Sequence, residues 1–318
     1  MDEIDRIVVG VAMPESQPWD AANVDPATRI AVRQAFRLAA SIGIPLEMVS
    51  VLDPPEAGFF ASTTEASLRA DNDRDEARRV LADLSAHHAN LTTNTKQTVV
   101  HGTDWFEILR AAGGSRQTLI ICGTRASGAV RRLLFGTTGQ KLLRNAPGPV
   151  WLVKPQTDDD AVLDVLAATD LSEVGTQVIS AGVTLGRAIP IQLTVMHAVD
   201  TNHHRRMARA GTSEDELAKR SEEAKAEAEA QLHDQLSETD FRTLDSGVRT
   251  QMAEGVPDRC VLTAIEELDI DLLIMASSGR GGIPGMLFGN TAERLLPELP
   301  CSLLTVKPND FVCPIDLS

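Results

Sequence analysis

The sequence predicts two tandem α/β domains, each a doubly wound, mainly parallel five-stranded sheet with helices on both faces. Three observations predict it. The chain contains an ungapped internal repeat. Apolar runs of strand length alternate with helix-period segments. A glycine-bearing loop follows the fourth apolar run of each repeat, where open α/β sheets take their ligands.

The repeat is clearest at residues 133–155 against 286–308, an offset of 153. Ten of these 23 positions are identical, among them Leu134, Phe135, Gly136, Thr138, Pro147 and Lys154. The same offset sets the run 118–122 on 271–275 and Gly102 on Gly255. With a shift of a few residues, 7–12 falls on 165–170, which aligns Ala12 with Asp170. Domain one is therefore residues 1–155, domain two 161–308, and residues 309–318 are a C-terminal tail. The polar run 156–160 after Lys154-Pro155 marks the boundary.

The second copy shows the elements in order. Residues 165–169 are a short apolar strand, stopped by Asp170-Leu171-Ser172, which reads as a helix cap. Residues 174–187 carry spaced apolar side chains and form a helix, and 191–198 are the second strand. A polar, helical stretch runs to about Leu236, and 248–253 alternates as the third strand. Residues 258–268 are helical, with Cys260, Val261, Ala264, Ile265 and Leu268 on one face. The fourth strand is 272–275, a loop follows, 290–296 is a helix and 302–306 the fifth strand. Asp170, Ala198 and the glycine loop then meet on one rim, beyond the carboxyl ends of the strands.

Composition narrows the class. A formal net charge of −15 argues against non-specific nucleic-acid binding. It leaves open a local anion site built from backbone N–H groups. Much of the acidity lies in 213–240, which reads as a solvated helix face. No run of about 18 uncharged apolar residues predicts a membrane span. The acidic start, Met1-Asp2-Glu3, lacks a signal-peptide pattern. Four cysteines without CxxC spacing suit a reduced cytoplasm.

The second-copy loop places Gly279 and Gly289 with nine residues between them, before Asn290-Thr291. Glycine lets a backbone turn tightly and approach a ligand. The N–H groups of Gly289, Asn290 and Thr291 open a helix and suit a phosphate chain. The loop is neither a Walker A motif nor a dinucleotide GxGxxG. Pattern alone leaves a plain turn as an equal reading.

This loop, with Asp170-Leu171-Ser172 and the Val306-Lys307-Pro308 strand end, resembles the universal stress protein family. That family's fingerprint is Gly-x-x-Gly, nine residues, then Gly-Ser/Thr. The resemblance covers nearly the whole chain and is closest to the tandem, E-type branch. It implies an adenine nucleotide, ATP, as ligand, with Mg2+ accompanying the phosphates if it enters at all. Carried over, Asp170 and Ala198 border the adenosine, and Met275 with Ala276 line the pocket. Gly279, Gly289, Asn290 and Thr291 hold ribose and phosphates. Two positions depart from the pattern, Ala276 for the first glycine and Asn290 for the Ser/Thr. In the first copy Gly123, Gly136 and Thr137 are kept, while Ala126 and Ala12 replace a glycine and the aspartate. The second copy is thus the expected nucleotide site and the first a degenerate one.

The remaining residues read more plainly. His87-His88 and His203-His204 are adjacent pairs on polar segments, a poor metal geometry, and no metal-ligand set emerges. His197 reads as a strand residue satisfied by its neighbours, Arg280 as either a phosphate contact or a solvated side chain. Arg125, Arg131 and Arg132 form a local basic cluster, Cys122 reads as inert core, and Trp19, Trp105 and Trp151 are too scattered for a stacking platform. No nucleophile–base–orienter set is present, so at most weak ATP hydrolysis is expected. The alternative is a non-nucleotide binding or scaffold protein, with residues 53–94 and 200–240 covering an apolar cavity. The last strand of each half resembles the family's dimerising edge strand, which implies an intramolecular pseudo-dimer and allows a homodimer.

Overall fold

A computed structural model describes residues 4–54, 63–91, 94–124, 136–155, 162–200, 213–277 and 289–317. The first copy contains β1 (Arg6–Gly10), α1 (Pro26–Ile42), β2 (Leu46–Leu52), α2 (Thr63–Ala86), β3 (Thr95–His101), α3 (Asp104–Ala111), β4 (Thr118–Gly123), α4 (Thr137–Asn145) and β5 (Val150–Val153). The second contains β6 (Leu163–Thr169), α5 (Glu173–Ala188), β7 (Ile191–Val199), α6 (Glu214–Ser237), β8 (Val248–Glu254), α7 (Pro257–Glu267), β9 (Leu272–Ala276), α8 (Asn290–Leu295) and β10 (Ser302–Val306).

The first sheet runs β3-β2-β1-β4-β5 and the second β8-β7-β6-β9-β10, and every pairing within each is parallel. The fold class expected from the repeat is therefore the fold observed. Its causes are local. The inner strands Ile7–Val9 and Leu119–Ile121 are apolar at every position because helices cover both sheet faces. The outer strands β3 and β8 carry runs of polar residues, Thr95–Thr98 and Arg249–Gln251, and are partly exposed.

Helix ends are equally legible. Asp25 accepts the Ala27 N–H at 2.9 Å, Pro26 takes the first helical position, and Gly43 ends α1 with φ +77°. Ser172 caps α5 by accepting the Gly175 N–H at 3.3 Å. In α6, Ser213 caps the start and Arg220 pairs with Glu216 at 2.8 Å. This helix is solvated on most of its surface, as its charge run implies, and buries Ala228, Leu232 and Leu236.

The repeat offset is reproduced by strand register. Gly10 pairs with Cys122 in the first sheet, and Ala168 with Met275 in the second. Cys122 and Met275 are 153 residues apart, so Gly10 corresponds to Ala168 and Ala12 to Asp170. The alignment of Ala12 with Asp170 is thus geometric as well as textual. By contacts the chain forms two compact units, one centred on each copy, and residues 312–317 group with the first.

Candidate functional site

In each sheet the strand order reverses beside the first strand, between β1 and β4 and between β6 and β9. Crossovers leave in opposite directions there, opening a crevice at the carboxyl ends. The two crevices are built from different side chains.

In the second copy, β6 ends in a strained turn. Leu171 has φ +59°, a left-handed backbone that a branched residue rarely adopts, while its side chain is buried. Side-chain hydrogen bonds hold it there. The Leu171 N–H donates to Thr169 Oγ1 at 3.0 Å, and the Ser172 N–H to Asp170 Oδ1 at 3.1 Å. Ser172 Oγ also donates to Asp170 Oδ1, at 2.5 Å. Gln235 of α6 closes over the turn, donating from Nε2 to the Ser172 carbonyl at 2.9 Å. Strain of this kind costs about 1–3 kcal/mol and persists where surrounding contacts fix it, often at functional positions.

The same rim gathers the other expected residues. Thr169 pairs with His197, so Ala198 lies one residue beyond the level of the β6 terminus. Met275 is buried and pairs with Ala168 and Thr305. Ala276, next along β9, is partly exposed. The Gly289 N–H donates to the Ser277 carbonyl at 2.8 Å, which brings the start of α8 back against the end of β9. Asn290 and Thr291 follow as the first two residues of α8, Asn290 exposed. Because α8 is only six residues long, its macrodipole is small, and the backbone N–H groups of Asn290 and Thr291 are the relevant donors, the Gly289 N–H expected beside them being taken by Ser277. His197 Nδ1 lies 2.9 Å from the Thr169 carbonyl, so the ring is satisfied within the strand layer, as its position suggested. Gly279 and Arg280 lie outside the described residues, as do Arg125, Ala126, Arg131, Arg132, His203 and His204.

The first copy has an open cavity of about 590 Å3 at the matching place. Its walls include Gly10, Ala12, Gly123 and the α4 start Gly136-Thr137-Thr138, all equivalents of second-copy rim positions. Sequence reasoning missed the rest of the wall. Met13, Glu15 and Trp19 come from the connection between β1 and α1, and Asp53 and Asp73 from the end of β2 and from α2. The available signal was length: residues 11–25 separate strand and helix here, against 170–172 in the second copy. Cys122 borders the cavity, yet burial pushes its thiol up to about 12, so it stays protonated and unreactive at neutral pH.

Among the described residues no group of three His, Cys, Asp or Glu side chains is placed to hold a metal ion. His88 instead stacks on Phe36 with ring centroids 5.0 Å apart, and burial, followed by His87 and Arg33, lowers its pKa. No helix among the described residues is long and apolar enough to cross a membrane.

Two parallel five-stranded sheets in tandem, each with its crevice at the switch point and a glycine-opened helix beside it, define a duplicated doubly wound α/β protein. The universal stress protein family profile matches residues 21–154 and again 163–307, and the chain belongs to that family in its tandem form. A universal stress protein of Mycolicibacterium smegmatis is 26% identical over 289 residues, covering 87% of this chain and 92% of that protein. Universal stress protein E of Escherichia coli K12 is 32% identical over 68 residues, 21% of this chain and 22% of its own length. Among solved structures, a universal stress protein from Archaeoglobus fulgidus covers 94% of this chain and 98% of its own, with a TM-score of 0.59 at 14% identity. A Pseudomonas aeruginosa UCBPP-PA14 protein of the same description covers 97% and 95%, with a TM-score of 0.61 at 19% identity. At such identities the likeness carries the fold.

Proposed function

We propose that the second copy binds an adenine nucleotide, ATP in the first instance, and that occupancy alters conformation or partner binding in a cytoplasmic stress response. The observation that carries this reading is the fixed turn at Asp170 on the same rim as Gly289-Asn290-Thr291. The residues present fit the group. Asp170 supplies a carboxylate acceptor for a nucleoside hydroxyl or amine, Ala198 and Ala276 leave room for a ring, and the start of α8 presents backbone N–H donors to phosphate. Asn290 adds a side-chain amide donor where relatives of this pattern carry a hydroxyl. Mg2+ would enter with the phosphates. The chain's contribution in this reading is binding and orientation of the nucleotide.

The test begins with purified protein, denatured, and the released small molecules identified by mass spectrometry. An adenine nucleotide is expected from the wild type and absent from Asp170→Ala. Added ATP at about a hundredfold excess over Kd should raise stability by about 2.7 kcal/mol in the wild type. No released nucleotide together with no thermal shift would sink the reading.

A further inference from the structure

One side chain of α6 spans the Asp170 turn. Thr169 Oγ1 donates to Gln235 Oε1 at 3.4 Å, and Gln235 Nε2 donates to the Ser172 carbonyl at 2.9 Å. Thr169 and Ser172 flank the turn, so the Gln235 amide holds both of its shoulders. The hold reaches Asp170 through two further bonds. The hydroxyl that donates to Gln235 also accepts the Leu171 N–H at 3.0 Å, and the Ser172 N–H donates to Asp170 Oδ1 at 3.1 Å. An amide suits both roles because it carries a donor and an acceptor together, whereas a carboxylate only accepts.

The other end of the hold is the helix itself. Gln235 lies on the same face of α6 as Ala228, Leu232 and Leu236, which are buried. None of residues 215–227 is buried. The helix is therefore packed over its C-terminal half, where Gln235 sits, and solvated over its N-terminal half. Segments with few buried contacts open at low free-energy cost. A side chain that ties such a helix to a turn with Leu171 at φ +59° links the two equilibria, and loosening either one loosens the other.

The first copy keeps this relation with different residues. There α2 follows the second strand as α6 does, and it too holds the connection that leaves the first strand. Gln17 Nε2 donates to Asp73 Oδ1 at 2.7 Å, and the Trp19 N–H to Glu76 Oε1 at 2.8 Å.

We propose that Gln235 is a positioning residue that couples the Asp170 turn to α6, so that a ligand held by Asp170 also orders the helix. Gln235 acts through the turn that carries Asp170 rather than on a ligand directly. For the nucleotide this rests on ATP binding in the second copy; the coupling itself belongs to the ligand-free chain as well.

Hydrogen–deuterium exchange by mass spectrometry on the full chain tests both directions. In the ligand-free protein, Gln235→Met should speed exchange across residues 169–176 about tenfold, the order expected for losing neutral hydrogen bonds. Exchange in β9 should stay at the wild-type rate. Thr169→Val removes the hydroxyl that donates to Gln235, and it should speed exchange across residues 225–237. Gln235→Glu separates coupling from packing. At about pH 7.5 it should loosen the turn as Gln235→Met does, because a carboxylate cannot donate to Ser172. Towards about pH 5, compared with wild type at the same pH, it should recover as the introduced carboxyl takes up a proton and donates again, while Gln235→Met should not. MgATP should slow exchange at the turn and in 225–237 of the wild type, but only at the turn of Gln235→Met, whose ATP affinity should be about tenfold lower. An unchanged 169–176 in the ligand-free Gln235 variants, an equal rise in β9, or an unchanged 225–237 in Thr169→Val would overturn the coupling. So would ATP that binds the wild type without slowing 225–237. Failure of ATP to bind the wild type would sink the nucleotide reading alone, and the ligand-free comparisons would still decide the coupling.

Discussion

Gly123→Val is expected to destabilise the first copy by about 3 kcal/mol. Gly123 ends β4, and the start of α1 crosses it at backbone contact. A Cβ at this position would lie 2.5 Å from the Thr28 N and 2.7 Å from the Ala27 carbonyl carbon and Thr28 Cα. These are main-chain atoms of a helix whose inward face is packed, so no side chain can swing away. The helix must shift, and that exposes or misfits Ile30, Ala31 and Phe36, all buried. With total stabilities of about 5–15 kcal/mol for a domain, a loss of this size moves a urea midpoint visibly. The expected record is a lowered first-copy transition with nucleotide binding in the second copy retained. An unchanged midpoint would show that the crossing is looser than described.

Gly175→Val should be as damaging to the second copy, and it should also remove the nucleotide. Gly175 is the third residue of α5, as Thr28 is the third of α1. An added Cβ would overlap Thr169 Oγ1 and come within 3.1 Å of Asp170 Oδ1. Thr169 Oγ1 is the acceptor that holds Leu171 in its left-handed turn. Displacing it releases the strained backbone and with it the placement of Asp170. A destabilisation of about 3 kcal/mol is expected from the overpacking. Affinity for ATP should fall at least a hundredfold, because a preorganised acceptor becomes a mobile one. Equilibrium unfolding and isothermal titration on the same sample separate the two effects. A variant that unfolds earlier yet binds ATP normally would detach the turn from the site.

These two glycines bear on how each copy builds its crevice. In the first copy Gly123, which corresponds to Ala276, is required by the helix crossing. In the second copy the tight position is Gly175 on the helix, set against Thr169 and Asp170 at the end of β6. The two copies therefore close this end of the sheet with different contacts.

Most of the second copy was legible because its signals are local. The apolar run starting at Leu272 is a strand to Ala276, one residue beyond the expected end. The expected helix 258–268 is Pro257–Glu267, the proline in the first turn fixing the start one residue earlier. The loop-to-helix change at Asn290 fell where the glycine placed it. The cavity of the first copy was not legible, and the reason is range. Residues 11–25 have no period, and what orders them is contact with Asp73 and Glu76, more than fifty positions away in sequence. Nor does any pattern announce that Glu15, Asp53, Asp73 and Asp104, spread over β1 to α3, converge. Strand order and crossover hand bring them together, and only the folded chain states both.

The measurement closest to the central claim is nucleotide stoichiometry by native mass spectrometry, on the full chain with MgATP and again on Asp170→Ala. The account predicts one ATP per wild-type chain and none on the variant, with the first-copy cavity taking no nucleotide in either. Two ATP molecules per chain, or one that survives Asp170→Ala, would contradict it.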